Sequence, residues 1–235
     1  MGKSLYLLAA CTGLALSTPA SATTTFAQFL QALPSAKIFT YTNVSSGPNK
    51  ATITTSASAA TVLVANLGSL PSPLLANVSL TAAATALPTL SGSEIDQLFS
   101  GTLVLTLLSP QMGLWGPSTH ALTVTFANAE LKAVSGGAAP TLAASSGAGS
   151  VISYSSDFED LTDTSAEDFS LSFSGSSSIL NLLGGRLPNF RISGSGTFAA
   201  DPSVPEPSTW AICVVGFGLL GGTLRLRRST ALLAA

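Results

Sequence analysis

The sequence predicts a mainly β protein: an antiparallel β-sandwich of jelly-roll or immunoglobulin-like type, preceded by a short helix and followed by a transmembrane helix. Three observations point there. Short Thr- and Ser-rich segments alternate apolar and polar residues with a period of two, as half-buried strands do. Small-residue turns such as Ser46-Gly47-Pro48-Asn49, Pro71-Ser72-Pro73, Ser91-Gly92 and Gly184-Gly185 separate them. No fixed repeat period runs through the chain, which argues against a parallel β-solenoid.

Taken in order, the body from Thr23 opens on an expected helical turn. Thr25 would cap it, Phe26, Phe29, Leu30 and Leu33 would share one face, and Pro34 would end it. Lys37 to Val44, Ala51 to Thr55, Thr61 to Asn66 and Asn77 to Ala82 are strand candidates rich in β-branched residues. Gly101 to Leu108 is nearly continuous apolar sequence and predicts a central strand buried on both faces. Leu122, Val124 and Phe126 alternate with threonines, and Phe169, Leu171 and Phe173 with serines. Phe190, Ile192 and Phe198 belong to a last strand, with a bulge expected at Gly194 and Gly196. Gly136 to Ser150 is low-complexity Gly/Ala/Ser and reads as a long exposed loop.

Composition narrows the function classes. Only 9% of the 235 residues are charged, against roughly 25% in typical soluble proteins. The body carries ten acidic and five basic side chains, a net charge near −5. It offers no basic patch, which excludes ordinary nucleic-acid binding. Both cysteines fall in the apolar ends, Cys11 and Cys213, so the body has no disulfide, thiolate nucleophile or cysteine metal ligand. Cys213, among apolar neighbours, reads as a small hydrophobe.

The two ends carry the address. Met1 to Ala22 has Lys3 as its single n-region charge, an apolar run from Leu5 to Leu16, and Ala20-Ser21-Ala22 as a small-residue cleavage site. It reads as a signal peptide for the Sec export machinery, with the mature chain starting at Thr23. Leu8-Ala9-Ala10-Cys11 has the form of a lipoprotein box and is the competing reading. At the other end, 201–209 is a Pro-rich linker, 210–228 an apolar segment with a basic stop, and 229–235 a short cytoplasmic tail. Trp210 to Leu224 is fifteen residues, about 22 Å of helix, short of the roughly 20 residues that span a bilayer without strain. Bilayer thinning and snorkelling arginines would make up the difference. Trp210 suits the interface and Arg225, Arg227 and Arg228 the cytoplasmic side.

Pro205-Glu206-Pro207, then Trp210-Ala211, then the glycine-punctuated apolar run and the arginines stand in fixed order. This terminus resembles the PEP-CTERM sorting signal of exopolysaccharide-producing Gram-negative bacteria, in its PEPxxWA form. The resemblance covers about residues 204–228. It implies recognition by an exosortase, a transpeptidase-like cysteine enzyme of the membrane. That enzyme would cut near the motif and send the protein toward the cell surface or the polysaccharide (biofilm) matrix.

Chemistry in the body is sparse. His120 is the single histidine, so a triad would have to be built around it, and no Gly-x-Ser-x-Gly elbow accompanies it. It reads as a surface or strand-edge residue. Asp157, Glu159, Asp160 and Asp163 are candidate calcium ligands in an acidic stretch that continues to Glu167-Asp168, although the spacing is not that of an EF-hand. The plainer reading is a solvated loop between Tyr154 and Phe169. Paired carboxylates for glycoside hydrolysis are conceivable, but nothing in the sequence sets two of them across a cleft. Trp115 is expected to anchor its loop onto the core, with stacking on a sugar ring as the alternative. Asn43-Val44-Ser45 and Asn77-Val78-Ser79 are glycosylation sequons. No cofactor is expected. The reading that follows is a non-enzymatic, exported surface or matrix protein. The alternatives are a glycan-binding module or weak polysaccharide hydrolase, and a permanently anchored periplasmic protein.

Overall fold

A computed structural model describes residues 23–43, 51–56, 61–68, 70–162 and 164–202. The signal peptide with Ala20 and Ala22, the sorting motif, the apolar segment with its arginines, and both cysteines lie outside the described residues.

Among the described residues, twelve strands follow one another, with two three-residue 3-10 turns between them, at Pro34–Ala36 and Ser146–Ala148. They are β1 (Thr24–Gln31), β2 (Phe39–Asn43), β3 (Ala51–Thr55), β4 (Thr61–Ala65), β5 (Leu74–Ala84) and β6 (Thr89–Ser91). Then come β7 (Glu94–Gly113), β8 (Gly116–Val134), β9 (Thr141–Ser145), β10 (Val151–Ser155), β11 (Thr164–Ser174) and β12 (Phe190–Pro202). No helix among the described residues is long and apolar enough to cross a membrane.

The described residues are mainly antiparallel sheet with almost no helix, consistent with a β-sandwich, and their strands are hydrogen-bonded into a single sheet. The pairings return on themselves. Starting at β5, each strand bonds the next through β7, β8, β9, β11, β12, β2 and β3, and β3 bonds β5 again. β1 and β4 make a second bridge from β12 to β5. β10 pairs β8 at Thr123–Ala127, beyond the stretch that β9 occupies. Closure removes most exposed strand edges, which protects a chain with few surface charges from edge-to-edge association.

The inner face is filled by alternating residues. On β7 these are Ile95, Phe99, Leu103, Leu105 and Leu107; on β8, Leu122, Val124 and Phe126, then Ala129, Leu131 and Ala133. The inward phase of β8 changes from even to odd positions at a bulge, where Ala127 and Asn128 stand opposite Ser100. Asn128 takes a left-handed φ of 60° there, a conformation asparagine tolerates better than most residues. Burying each large apolar side chain contributes roughly 1.5–3 kcal/mol before entropy is counted. Rings interlock across the wall: Tyr41 stacks on Phe190 at 4.7 Å and 4°, and Phe39 meets Phe173 edge-on at 5.3 Å.

Four expectations are corrected. The helix expected over Thr25–Leu33 is strand β1, because Ala27, Phe29 and Gln31 point inward with period two and the backbone bonds both β12 and β4. Two ladders outweigh a weak helical period, and the supposed helical face is split: Leu30 and Leu33 are exposed. The run Gly101–Leu108 is not buried on both faces: Leu103, Leu105 and Leu107 face in, while Thr106 and Leu108 are exposed. The Gly136–Ser150 stretch contains β9, whose Leu142 and Ala144 are buried between β8 and β11. Gly196 pairs Phe29 of β1 without a register shift, and the irregularity of that pairing falls between Thr25 and Ala27. Gly194 and Gly196 instead admit neighbouring rings, since a Cβ would sit 2.8 Å from Phe173 and 2.3 Å from Phe29.

β12 changes partners midway, bonding β2 through Phe190–Ile192 and β1 through Ser195–Ala200. The Gly194 N–H in between donates to the buried Gln31 Oε1 at 3.2 Å. Gln31 Nε2 in turn donates to the Leu33 carbonyl, so this buried amide is satisfied at both ends.

Candidate functional site

The β7–β8 hairpin closes through a two-residue turn, Leu114-Trp115, between the paired Gly113 and Gly116. Gly116 has φ 129°, a value that L side chains rarely adopt. Gly113 lets the tip press against the 156–162 loop: a Cβ there would lie 2.5 Å from the Asp157 carbonyl oxygen. That oxygen accepts the Leu114 N–H at 2.7 Å. The turn therefore throws its side chains outward. Trp115 is 89% exposed and Met112 72%, with Leu114 also exposed. The anchoring role expected for Trp115 is thus replaced by presentation to solvent.

Asp157 pins the tip from its side chain as well. Its Oδ2 accepts from Ser118 Oγ at 2.5 Å, and its Oδ1 lies 3.4 Å from His120 Nδ1. Ser118 Oγ also accepts the His120 N–H at 3.0 Å, and His120 Nε2 is 2.8 Å from Thr123 Oγ1. The Ser118 hydrogen bond, and after it His120, hold the Asp157 carboxyl below the usual carboxylate range. His120 stands on β8 as the surface residue the sequence suggested, yet it is tied into a network that its spacing did not announce. The order Thr123–His120–Asp157 has the connectivity of a hydrolytic relay. A relay alone does not make acyl-transfer chemistry: an oxyanion hole would have to stand beside Thr123.

The other acidic residues go to separate partners. Asp160 Oδ1 accepts from Thr162 Oγ1 at 2.7 Å and from the Thr162 N–H at 3.2 Å, and these bonds lower its pKa. Glu159 lies against Gly68. Asp163 falls outside the described residues. Among the described residues, no group of three or more His, Cys, Asp or Glu side chains could hold a metal ion. Glu167 and Asp168 are not in the loop at all; they belong to β11. On the outer face of β8, β9 and β11, Glu130 and Asp168 line one open groove of about 790 Å³ floored by Ala143 and Ser145. Lys132 Nζ lies 3.4 Å from Glu130 and 3.3 Å from Glu94.

Of the sequons, Asn77 is exposed on β5. The Asn43 amide is already engaged, donating to the Leu187 carbonyl at 3.1 Å and accepting from Arg186 at 3.3 Å.

The described strands end at Pro202, and the compact β unit closes at Asp201. Fold and chain order therefore define a self-contained antiparallel β domain followed by a separate tail. That tail carries the PEP-CTERM protein-sorting motif, matched over residues 203–228, which supports an exported protein targeted to an exosortase. No curated protein and no solved structure matches the chain.

Proposed function

We propose that this chain is exported, cut near Pro205–Pro207 by an exosortase, and left as a non-enzymatic β domain at the cell surface or in the exopolysaccharide matrix. The observation that carries the reading is the join between domain and signal. β12 ends at Pro202 and the motif begins at residue 203. A cut within Pro205–Pro207 severs no strand pairing described above, so the released domain keeps its closed sheet and core. Comparing the native protein from wild-type and exosortase-deleted cells tests this. Loss of the tail in the wild type alone supports it; an intact tail in both strains makes the protein a permanently anchored one.

A second reading is favoured by the hairpin tip. An indole presented to solvent beside a fixed carboxylate suits stacking on a sugar ring, with Asp157 accepting from hydroxyls. Loss of binding to the organism's own exopolysaccharide in Trp115→Ala supports it. Equal retention of both proteins retires it.

A further inference from the structure

Asp201 is buried at 3% exposure, and neither carboxylate oxygen has a hydrogen-bond partner. A carboxylate taken out of water calls for a partner that satisfies its oxygens. The four cations of the described body are placed elsewhere: Lys37 lies just ahead of β2, whose Phe39 pairs Ile192, nine positions from Asp201. Lys132 is engaged by Glu94, Asp96 and Glu130. Arg186 donates to Asn43. Arg191 stands ten positions up β12, roughly 33 Å away at about 3.3 Å per residue. No described side chain forms an ion pair with Asp201.

The register supplies the missing charge. β1 pairs β12 with Thr24 opposite Ala200 as the outermost pair; continuing that register by one position sets Thr23, just ahead of β1, across from Asp201. Residues directly opposed in an antiparallel pair have Cα atoms about 4.5–5.5 Å apart. Thr23 is also where the Ala20-Ser21-Ala22 cleavage site puts the start of the mature chain. Removing the signal peptide hydrolyses the Ala22–Thr23 amide, consuming one water and leaving an Ala22 carboxylate and a Thr23 α-ammonium. A neutral amide becomes a cation with three N–H donors, within reach of a carboxylate that lacks partners.

We propose that Asp201 is the internal docking site for the α-ammonium of the mature chain. The pair forms only after export and locks the β1–β12 seam where the sorting tail departs. This inference rests on the signal-peptide reading, and the test separates the two.

The exported full chain is purified, its N-terminus is read by mass spectrometry, and the acylation rate of the α-amine by an amine-reactive ester is measured with and without Asp201→Asn. A start at Thr23 with acylation about tenfold slower in the wild type is expected. A start at any other residue overturns the inference through the signal reading. A Thr23 start with equal rates overturns the pairing itself. If Asp201→Asn does not fold, a chain extended by two residues ahead of Thr23 replaces it. Its melting temperature should fall roughly 4–8 °C below that of the mature chain; an unchanged value contradicts the pairing.

Discussion

The β7–β8 hairpin tip and the β1–β12 seam break the same rule in opposite directions. The tip sends Met112, Leu114 and Trp115 into solvent, while the seam takes the Asp201 carboxylate out of it. Between them most strands alternate, with large apolar side chains inward and many Thr and Ser outward, although Leu30, Leu108 and Val151 face out and Gln31 and Gln97 face in. Folding alone does not select an exposed tryptophan at a turn or an orphaned carboxylate in a strand. The tip has the character of a surface that meets something else. The seam has the character of a place where the chain itself is completed.

The comparison breaks hardest at the inner face of the seam. Gly196→Ala sets a Cβ 2.3 Å from Phe29 and 2.8 Å from Leu171. It should cost roughly 1–3 kcal/mol, or about 3–10 °C in Tm, measured by thermal unfolding. An unchanged Tm would mean that this wall is looser than its rings imply. At the tip, Asp157→Asn keeps the backbone contact with Leu114 but removes the charge that Ser118 and His120 hold. We expect a Tm loss of only about 1–3 °C, because the group is solvated. Faster amide exchange at Leu114 should accompany it.

The pH dependence has a definite sign. The folded Asp157 pKa is depressed, so its contribution is present above the unfolded value near ~3.9. It is lost as pH falls further, through the folded value. The protection factor at Leu114, which removes the intrinsic pH dependence of amide exchange, should therefore fall on acidification below about pH 4 in the wild type and stay unchanged in Asp157→Asn. The smallest expected effect on stability is Trp115→Ala, within about 1 °C in Tm, since the ring touches little. A large loss there would turn the tip into part of the core.

The strands were legible wherever alternation was carried by large residues: Ala51–Thr55 matches β3 residue for residue, and Leu122–Phe126 and Phe169–Phe173 sit inside β8 and β11. β9 and β10 were hidden because Leu142 and Ala144 are too few against a Gly/Ala/Ser background, and Val151–Ser155 follows it directly. β1 was misread because Phe26, Phe29, Leu30 and Leu33 fit a helical period as well as a strand, and only pairing with two neighbours decides. The sorting motif was legible, being a linear signal matched over residues 203–228. The cluster of Ser118, His120 and Asp157 was not, since its members are up to 39 positions apart. Asp201 could not have been singled out either: its oddity lies in burial, and the residue proposed to face it emerges only from the β1–β12 register.

The central claim is that both ends are removed and the closed sheet between them remains. Its most direct test is the intact mass of the native protein from wild-type and exosortase-deleted cells. The account predicts a wild-type chain running from Thr23 to a terminus within Pro205–Pro207, and one retaining the tail through Ala235 in the deletion strain. A wild-type chain that still ends at Ala235 would contradict it.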